Sequence, residues 1–166
     1  KKWGTERKVA DTFEGYDFPI IRYAEVLLNY AEAMYELGTT GKALDDALNI
    51  SLNLVRLRVN PDMPKLTTSF VSENNLNMRE EIRRERTIEL YNEGFRIDDL
   101  KRWNTAIVEM PKPILGVKWT GTDFATSWPG ASNMAKDSDG CLILENSRRW
   151  GTKNDLYPLP VDQCQL

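Results

Sequence analysis

Five carboxylates lie close together in one short segment and are the side chains best suited to acid–base chemistry. They are Glu85, Glu89, Glu93, Asp98 and Asp99. A glycoside hydrolase needs two carboxyl groups at a defined separation on either side of a sugar bond, and one of them must hold a proton. Hydrolysis of a glycosidic bond is therefore the first chemistry to consider.

Basic residues are interleaved with these acids, and they argue against that chemistry. They are Arg83, Arg84, Arg86, Arg96, Lys101 and Arg102. A carboxylate paired with arginine has a lowered pKa, which is the wrong direction for a general acid. We therefore predict no catalytic residue here and keep a hydrolase as an alternative.

The spacing of the segment places its charges on one face of a helix. At 3.6 residues per turn, one stripe contains Ile82, Arg86, Glu89, Glu93, Arg96, Leu100 and Trp103. Burial of such charges costs several kcal/mol per ion unless each is paired, and Arg86 with Glu89 and Glu93 with Arg96 have the i,i+3 spacing that allows pairing. We predict a structural ion network of Arg86, Glu89, Glu93, Arg96 and Asp99.

Other catalytic and metal chemistries lack their usual residues. The chain has no histidine, which removes the commonest general base, the commonest metal ligand and any Ser-His or Cys-His nucleophile. Cys141 and Cys164 lack metal-ligand spacing, and whether they pair with each other stays open.

Asp137–Gly140 (DSDG) resembles the start of a calcium loop, but its twelfth position is Arg148 rather than Glu, so a turn is favoured over a Ca²⁺ site. We expect no cofactor and no metal.

Aromatic side chains in the last third of the chain are candidates for binding a sugar. Trp119, Phe124, Trp128 and Trp150 lie among Gly, Ser, Thr and Asn. An exposed indole can pack on the apolar face of a sugar ring while amides and hydroxyls bond its rim. We name Trp119, Trp128 and Trp150 as candidate ligand residues, with the alternative that they pin the loops to the body of the protein.

Composition excludes several classes of function. The 166 residues are 41% hydrophobic and 28% charged, with a net charge of -3 and a pI near 5.2, so no basic surface for nucleic acid is expected. No apolar run approaches the roughly 18 residues that cross a bilayer. A start at Lys1 with neither an export signal nor a lipid-accepting cysteine suggests a piece of a longer protein.

Helical periodicity dominates the first two thirds of the chain and predicts a mainly α fold, organised as one domain over 1–166. After a lead-in over Lys1–Phe18, a helical hairpin is predicted over 19–60, with one helix from Pro19 to Leu37 and a second from Lys42 to Val59. The first helix has an apolar or small face of Tyr23, Val26, Leu27, Tyr30, Ala31, Met34 and Leu37. Because one hairpin cannot bury its own faces, we interpret it as the last member of a helical array, similar to a tetratricopeptide unit.

The rest of the chain is predicted to contain two further helices and then a long loop-rich segment. After a connector over Pro61–Asn75, helices are expected from Leu76 to Tyr91 and from Phe95 to Ile107, within 76–108. Helical periodicity disappears in 109–166, where only Gly140–Leu144 and Leu156–Leu159 look strand-like. Long loops in compact domains are often functional.

The helical segments resemble a known family. RRERTIELYNEGFRIDDLKRW (83–103) matches every fixed letter of ERxxELxxEGxRxxDLxRW, the C-terminal signature of the SusD/RagB family. IIRYAEVLLNYAEAMYELG (20–38) is similar to its companion helix and LYPLP (156–160) to its closing motif. The resemblance extends from about Phe18 to Pro160, with a poorly matched middle between Met110 and Asp155.

This resemblance implies a non-enzymatic glycan-binding protein on the outer face of a Gram-negative outer membrane. Such a protein is anchored by a lipid, here through an N-terminal region absent from the chain, and caps a SusC-like TonB-dependent transporter. Its expected ligand is an oligosaccharide or polysaccharide. An alternative of a different class is a helical-repeat adaptor that binds another protein with an exposed groove on the hairpin.

Overall fold

The computed structural model describes residues 20–156, which are mainly helical. The predicted mainly α architecture is confirmed, with a helical hairpin, two helices carrying the signature, and a loop-rich segment after them. The predicted lead-in over Lys1–Phe18, most of the strand-like Leu156–Leu159, and Cys164 lie outside the described residues.

The chain divides into two compact units, and the division falls between Glu93 and Gly94. This point lies inside the signature segment, so the two signature helices belong to different units. The organisation of 1–166 as one domain stays a prediction.

The first unit contains five helices within the described residues. They are α1 (Tyr23–Glu36), α2 (Gly41–Asn49), α3 (Leu52–Val59), α4 (Thr68–Glu73) and α5 (Met78–Glu89). Helix α1 packs against α2, α3 and α5. The buried core between them is made of aliphatic side chains, among them Leu28, Ala31, Leu44, Leu48, Leu52, Val55, Leu66 and Ile82.

The fully buried residues of helix α1 coincide with the predicted apolar face only at Ala31. Its buried side chains are Ala24, Leu28, Ala31 and Glu32. On the predicted apolar face, by contrast, Tyr23, Val26, Tyr30 and Leu37 are exposed. The helix is apolar on two sides, and the hairpin with α5 covers only one of them.

The second predicted helix, over Lys42–Val59, is wrong as a continuous element. It is divided into α2 and α3 at Ile50 and Ser51, where Ser51 has φ -135° and ψ -100°. The hydroxyl of Ser51 donates to the carbonyl of Ala47 at 2.6 Å, and this bond competes with the regular helical pattern. The break turns the chain so that both α2 and α3 contact α1.

The connector over 61–75 is fixed by two polar side chains and includes α4, which the sequence did not predict. The amide of Asn53 accepts from the Leu66 N–H at 2.7 Å and donates to the Leu66 carbonyl at 3.0 Å. Asp45 accepts from the N–H and the hydroxyl of Thr68 at 2.7 and 2.9 Å. Thr67 then caps α4 by accepting from the Phe70 N–H.

Helix α5 begins and ends with residues suited to those positions. Asn77 caps its first turn by accepting from the Glu80 N–H at 3.2 Å. After its last residue, Asn92 has φ 61° and Gly94 has φ 90°, both left-handed, so the helix does not continue into the next one.

The second unit contains short helices and a two-stranded antiparallel sheet within the described residues. Its elements are α6 (Phe95–Arg102), α7 (Ala106–Glu109), β1 (Ile114–Lys118), α8 (Phe124–Ser127) and β2 (Cys141–Glu145), with 3₁₀ turns at Pro129–Ala131 and Thr152–Asp155. The predicted helix over Phe95–Ile107 is therefore wrong in its second half, where Asn104 has φ 56° and separates α6 from α7.

The strand predicted near Gly140–Leu144 is present as β2, and its partner β1 was not predicted. Leu115 pairs with Ile143 and Lys118 with Cys141, with irregular steps between them. Leu142, within β2, and Trp119, the residue after β1, are both buried. Apart from these strands, the loop-rich character of the segment is confirmed.

Candidate functional site

In the first unit, the acids of the signature are bonded by arginines from distant parts of the sequence. Glu89, at the end of α5, accepts from Nη1 of Arg22 at 2.8 Å and from Nη2 of Arg58 at 2.8 and 2.9 Å. Glu93 accepts from Nε of Arg22 at 2.8 Å. The Glu89 side chain is only 10% exposed, so the hydrogen bonds of this carboxylate are made with two guanidinium groups and little with water.

Arg86 connects the same helix to α1. It is buried, and its Nη1 donates to the side-chain oxygen of Asn29 at 2.7 Å. This bond satisfies one N–H donor of the buried guanidinium and links α5 to α1.

In the second unit, Asp99 is buried on α6 and accepts from Nε of Arg102, three residues later, at 2.8 Å. Arg96 lies on the exposed side of the same helix. The contacts of Glu89, Glu93, Arg86 and Asp99 suit a purely structural network, and that role stays a prediction.

Glu85 differs from its neighbours and corrects one expectation. We expected arginine neighbours to lower the carboxylate pKa values of this segment, but burial raises the pKa of Glu85 more than Arg56 lowers it. The pair is loose because Arg56 Nε lies 3.7 Å from Glu85 Oε2, and that buried Nε has no hydrogen-bond partner. A raised pKa suits a general acid, but Glu85 faces a guanidinium, whereas a glycosidase requires a second carboxylate across the sugar bond.

The three candidate tryptophans have different environments. Trp119 is 7% exposed, with Lys136 Nζ 5.9 Å from its ring centre, so its ring is part of the core. Trp150 is half-buried, since Lys101 Nζ lies 5.9 Å from its ring and its Nε1 donates to Asp155 at 2.9 Å. Trp128 is 67% exposed and is the tryptophan best placed to offer a ring face.

Further aromatic and apolar surface lies near Trp128 in sequence. Phe124 is 46% exposed and precedes Trp128 by four residues, on the short helix α8. The turn that follows, Pro129–Ala131, is also largely exposed. An exposed aromatic ring is able to pack on the apolar face of a sugar ring, and a ligand role for this loop stays a prediction.

The Asp137–Gly140 segment forms a turn. Oδ1 of Asp137 accepts from the N–H groups of Asp139 and Cys141 at 3.0 and 2.8 Å, so one of its oxygens is used within the turn. The Gly140 carbonyl accepts from the N–H groups of Trp119 and Thr120. The turn thus joins β2 to Trp119.

Residues 20–156 contain neither a metal-binding cluster nor a membrane-spanning helix. In that range, no cluster of three His, Cys, Asp or Glu side chains has a geometry that would hold a metal ion. No helix within it is both long enough and apolar enough to cross a bilayer.

Sequence reasoning missed Arg22 and Arg58 as partners of the signature acids. Their contacts join residues 31 to 71 positions apart, and helical spacing within one segment carries no information about such partners. The one local signal is that Arg22 directly precedes α1, where a cation has no favourable interaction with the helix dipole and so needs another reason to be present.

Comparison with known proteins adds a family and one solved structure. Residues 2–160 match the model of the SusD family. No curated protein matches the chain. The crystal structure of a SusD-like carbohydrate-binding protein from Bacteroides fragilis is similar over 89% of this chain, with 28% identity and a TM-score of 0.68. The similar region covers 27% of that protein, so this chain spans about a quarter of its length.

Proposed function

This chain belongs to the SusD family, and from that premise we propose that it is a non-enzymatic glycan-binding component of an outer-membrane nutrient-uptake system. The observation that carries the proposal is the exposed Trp128 on a loop of the second unit, together with Phe124. An indole that is 67% exposed has a free face for the C–H groups of a sugar ring. Similarity to a carbohydrate-binding protein supports the same ligand class.

The proposal requires no catalytic group. Glu89 and Glu93 are held by arginines, and Asp99 is held by Arg102. Glu85 has the pKa direction of a general acid but faces Arg56. These contacts favour binding of the sugar without cleavage.

The proposal also includes the location of the protein in the cell and the transporter with which it assembles. We place the protein at the cell surface, attached to the outer membrane by a lipid on a region outside this chain, where it would cap a SusC-like TonB-dependent transporter. Family membership supports this assignment. Co-purification of the transporter with the native protein, after extraction from outer membranes in detergent, would test the partnership.

A helical-repeat adaptor is the second candidate, and one observation favours it. Tyr23, Val26, Tyr30 and Leu37 expose an apolar face on α1, which is the surface that an adaptor would offer to another protein. Under the glycan-binding proposal, we expect helices from another part of a longer protein to cover this face.

Pull-down on insoluble polysaccharides, combined with an assay for released reducing ends, separates the candidates. We expect the chain to bind at least one polysaccharide and to release no sugar. Release of reducing ends would overturn the non-enzymatic proposal. Absence of both binding and release would contradict glycan binding by this chain and favour the adaptor.

A further inference from the structure

The turn between α5 and α6 is weakly held by its own backbone. Tyr91 N–H donates to the Ile88 carbonyl at 3.4 Å and Glu93 N–H to the Leu90 carbonyl at 3.2 Å. Asn92 and Gly94 are both left-handed, so this segment cannot be stabilised by continuing the helix. The first unit ends within this turn, at Glu93.

Arg22 makes three long-range bonds to the two glutamates at this turn, Glu89 and Glu93. Its Nη2 donates to the Glu89 carbonyl at 2.9 Å, its Nη1 to the Glu89 carboxylate at 2.8 Å and its Nε to the Glu93 carboxylate at 2.8 Å. One guanidinium therefore contacts both the last residue of α5 and the residue before Gly94. The Arg22 backbone is itself tied to α1, because its carbonyl accepts from Glu25 N–H at 3.0 Å.

The bond to the Glu89 carbonyl replaces a missing helical bond. In a continuing helix, the N–H of Glu93 would donate to the carbonyl of Glu89, but here it donates to Leu90 instead. The last carbonyls of a helix need such external donors. Three different nitrogens of the planar guanidinium serve this carbonyl and both carboxylates at once, whereas the donors of a lysine ammonium all diverge from a single nitrogen and do not reproduce that spacing.

We infer that Arg22 is a conformational clamp that holds the turn 90–94 closed. When the Arg22 bonds break, the turn opens while the helices of the first unit stay folded. The geometry allows opening, because the Arg22 and Glu93 side chains are 24% and 23% exposed and water can replace their bonds. Local openings of this kind need less free energy than global unfolding. The clamp therefore determines whether residues 90–93, at the end of the first unit, keep a single backbone conformation.

Hydrogen exchange measured by NMR on the whole chain tests the clamp. In Arg22→Lys, we expect the amides of Tyr91 and Glu93 to exchange about tenfold faster or more, which corresponds to about 1.4 kcal/mol or more in opening free energy. Amides in the middle of α1 and α5 should keep their protection. Arg58→Lys is the matched control, because Arg58 contacts the Glu89 carboxylate but not the Glu89 carbonyl or Glu93. It should leave the exchange of the turn unchanged.

A second variant covers the case in which Arg22→Lys does not fold. Glu93→Gln removes the charge of one clamp partner with little change of shape and should also accelerate exchange in the turn, by a smaller factor. In a folded Arg22→Lys variant, unchanged exchange of the turn, or an acceleration in α1 and α5 equal to that in the turn, would overturn the clamp. An equal acceleration of the turn in Arg58→Lys would also overturn it. If Arg22→Lys cannot be obtained folded, unchanged exchange in Glu93→Gln would overturn it.

Discussion

At the scale of single residues, Glu85 and Arg56 form a buried charge pair that is only loosely bonded. Their closest atoms are 3.7 Å apart, while their side chains are only 15% and 7% exposed. Desolvation is then only partly offset by attraction, and the pKa of Glu85 is raised. The ionised form of Glu85 is therefore less favourable in the folded than in the unfolded chain.

The direction of this shift predicts a pH dependence of stability. A carboxyl pKa that is higher in the folded state contributes stability below its unfolded value near 4.5, and this contribution is lost as the pH rises through the folded pKa. We expect the free energy of unfolding of the wild type, minus that of Glu85→Gln, to fall between pH 4 and pH 7. Denaturant titrations followed by circular dichroism would measure it, and a difference that grows with pH would contradict the assignment.

Gly140 is a residue whose replacement should be costly. Its φ is 80°, and a Cβ at this position would lie 2.5 Å from the Cβ of Thr120. Gly140→Ala should lower the free energy of unfolding of the second unit by about 2 to 4 kcal/mol, since left-handed strain and a steric clash both act.

Gly130 provides the matched control for this substitution. A Cβ there would meet nothing within 4 Å, and Gly130 is not among the glycines with positive φ. Gly130→Ala should therefore change the free energy of unfolding by no more than about 0.5 kcal/mol. Equal effects of the two substitutions in tryptophan-fluorescence unfolding curves would refute this account of the turn.

At the scale of elements, the connector between α3 and α4 depends on one buried amide. Asn53 is 1% exposed and satisfies both backbone groups of Leu66. Asn53→Ala should destabilise the first unit by about 2 to 4 kcal/mol, because it leaves a buried N–H and a buried carbonyl without partners.

Asn74 allows a comparison with an exposed amide. Its side chain also donates to a backbone carbonyl, that of Phe70, at 2.8 Å, but in an exposed position. Water can replace this bond, so Asn74→Ala should cost only about 0.5 kcal/mol. Thermal unfolding of both variants would measure the difference, and a cost for Asn53→Ala no greater than that for Asn74→Ala would show that Asn53 does not anchor the connector.

The elements also show which parts of the fold the sequence could predict. Helical periodicity located α1, α5 and α6 because their signals are local. The break at Ser51 was missed, since α2 and α3 have apolar residues at continuous helical spacing. Strand β1 was missed because ILGVK is short and contains glycine, and it is a strand only through pairing with β2, more than twenty residues later.

The candidate site was less predictable than the fold. Tryptophans in polar loops suit a sugar surface, and their ligand role stays a prediction; only the tertiary structure separates the buried Trp119 from the exposed Trp128. In the same way, the signature acids could be identified as a group, whereas their partners Arg22 and Arg58 depend on how distant helices pack. Burial and long-range pairing are properties of the tertiary structure.

At the scale of the whole molecule, two exposed surfaces support different functions. One is the loop region with Trp128 and Phe124, and the other is the apolar face of α1. The glycan-binding proposal assigns the ligand to the first surface and a packing role to the second. A substitution on each surface therefore separates the glycan-binding proposal from the adaptor.

Affinity electrophoresis in gels that contain the bound polysaccharide tests the central claim most directly. Wild-type protein and Tyr23→Ala, which alters the α1 face, should both be retarded to the same extent. Trp128→Ala should bind the polysaccharide at least about tenfold more weakly than the wild type and be retarded less, as expected when a central aromatic contact is removed. Equal retardation of Trp128→Ala and the wild type would contradict the account.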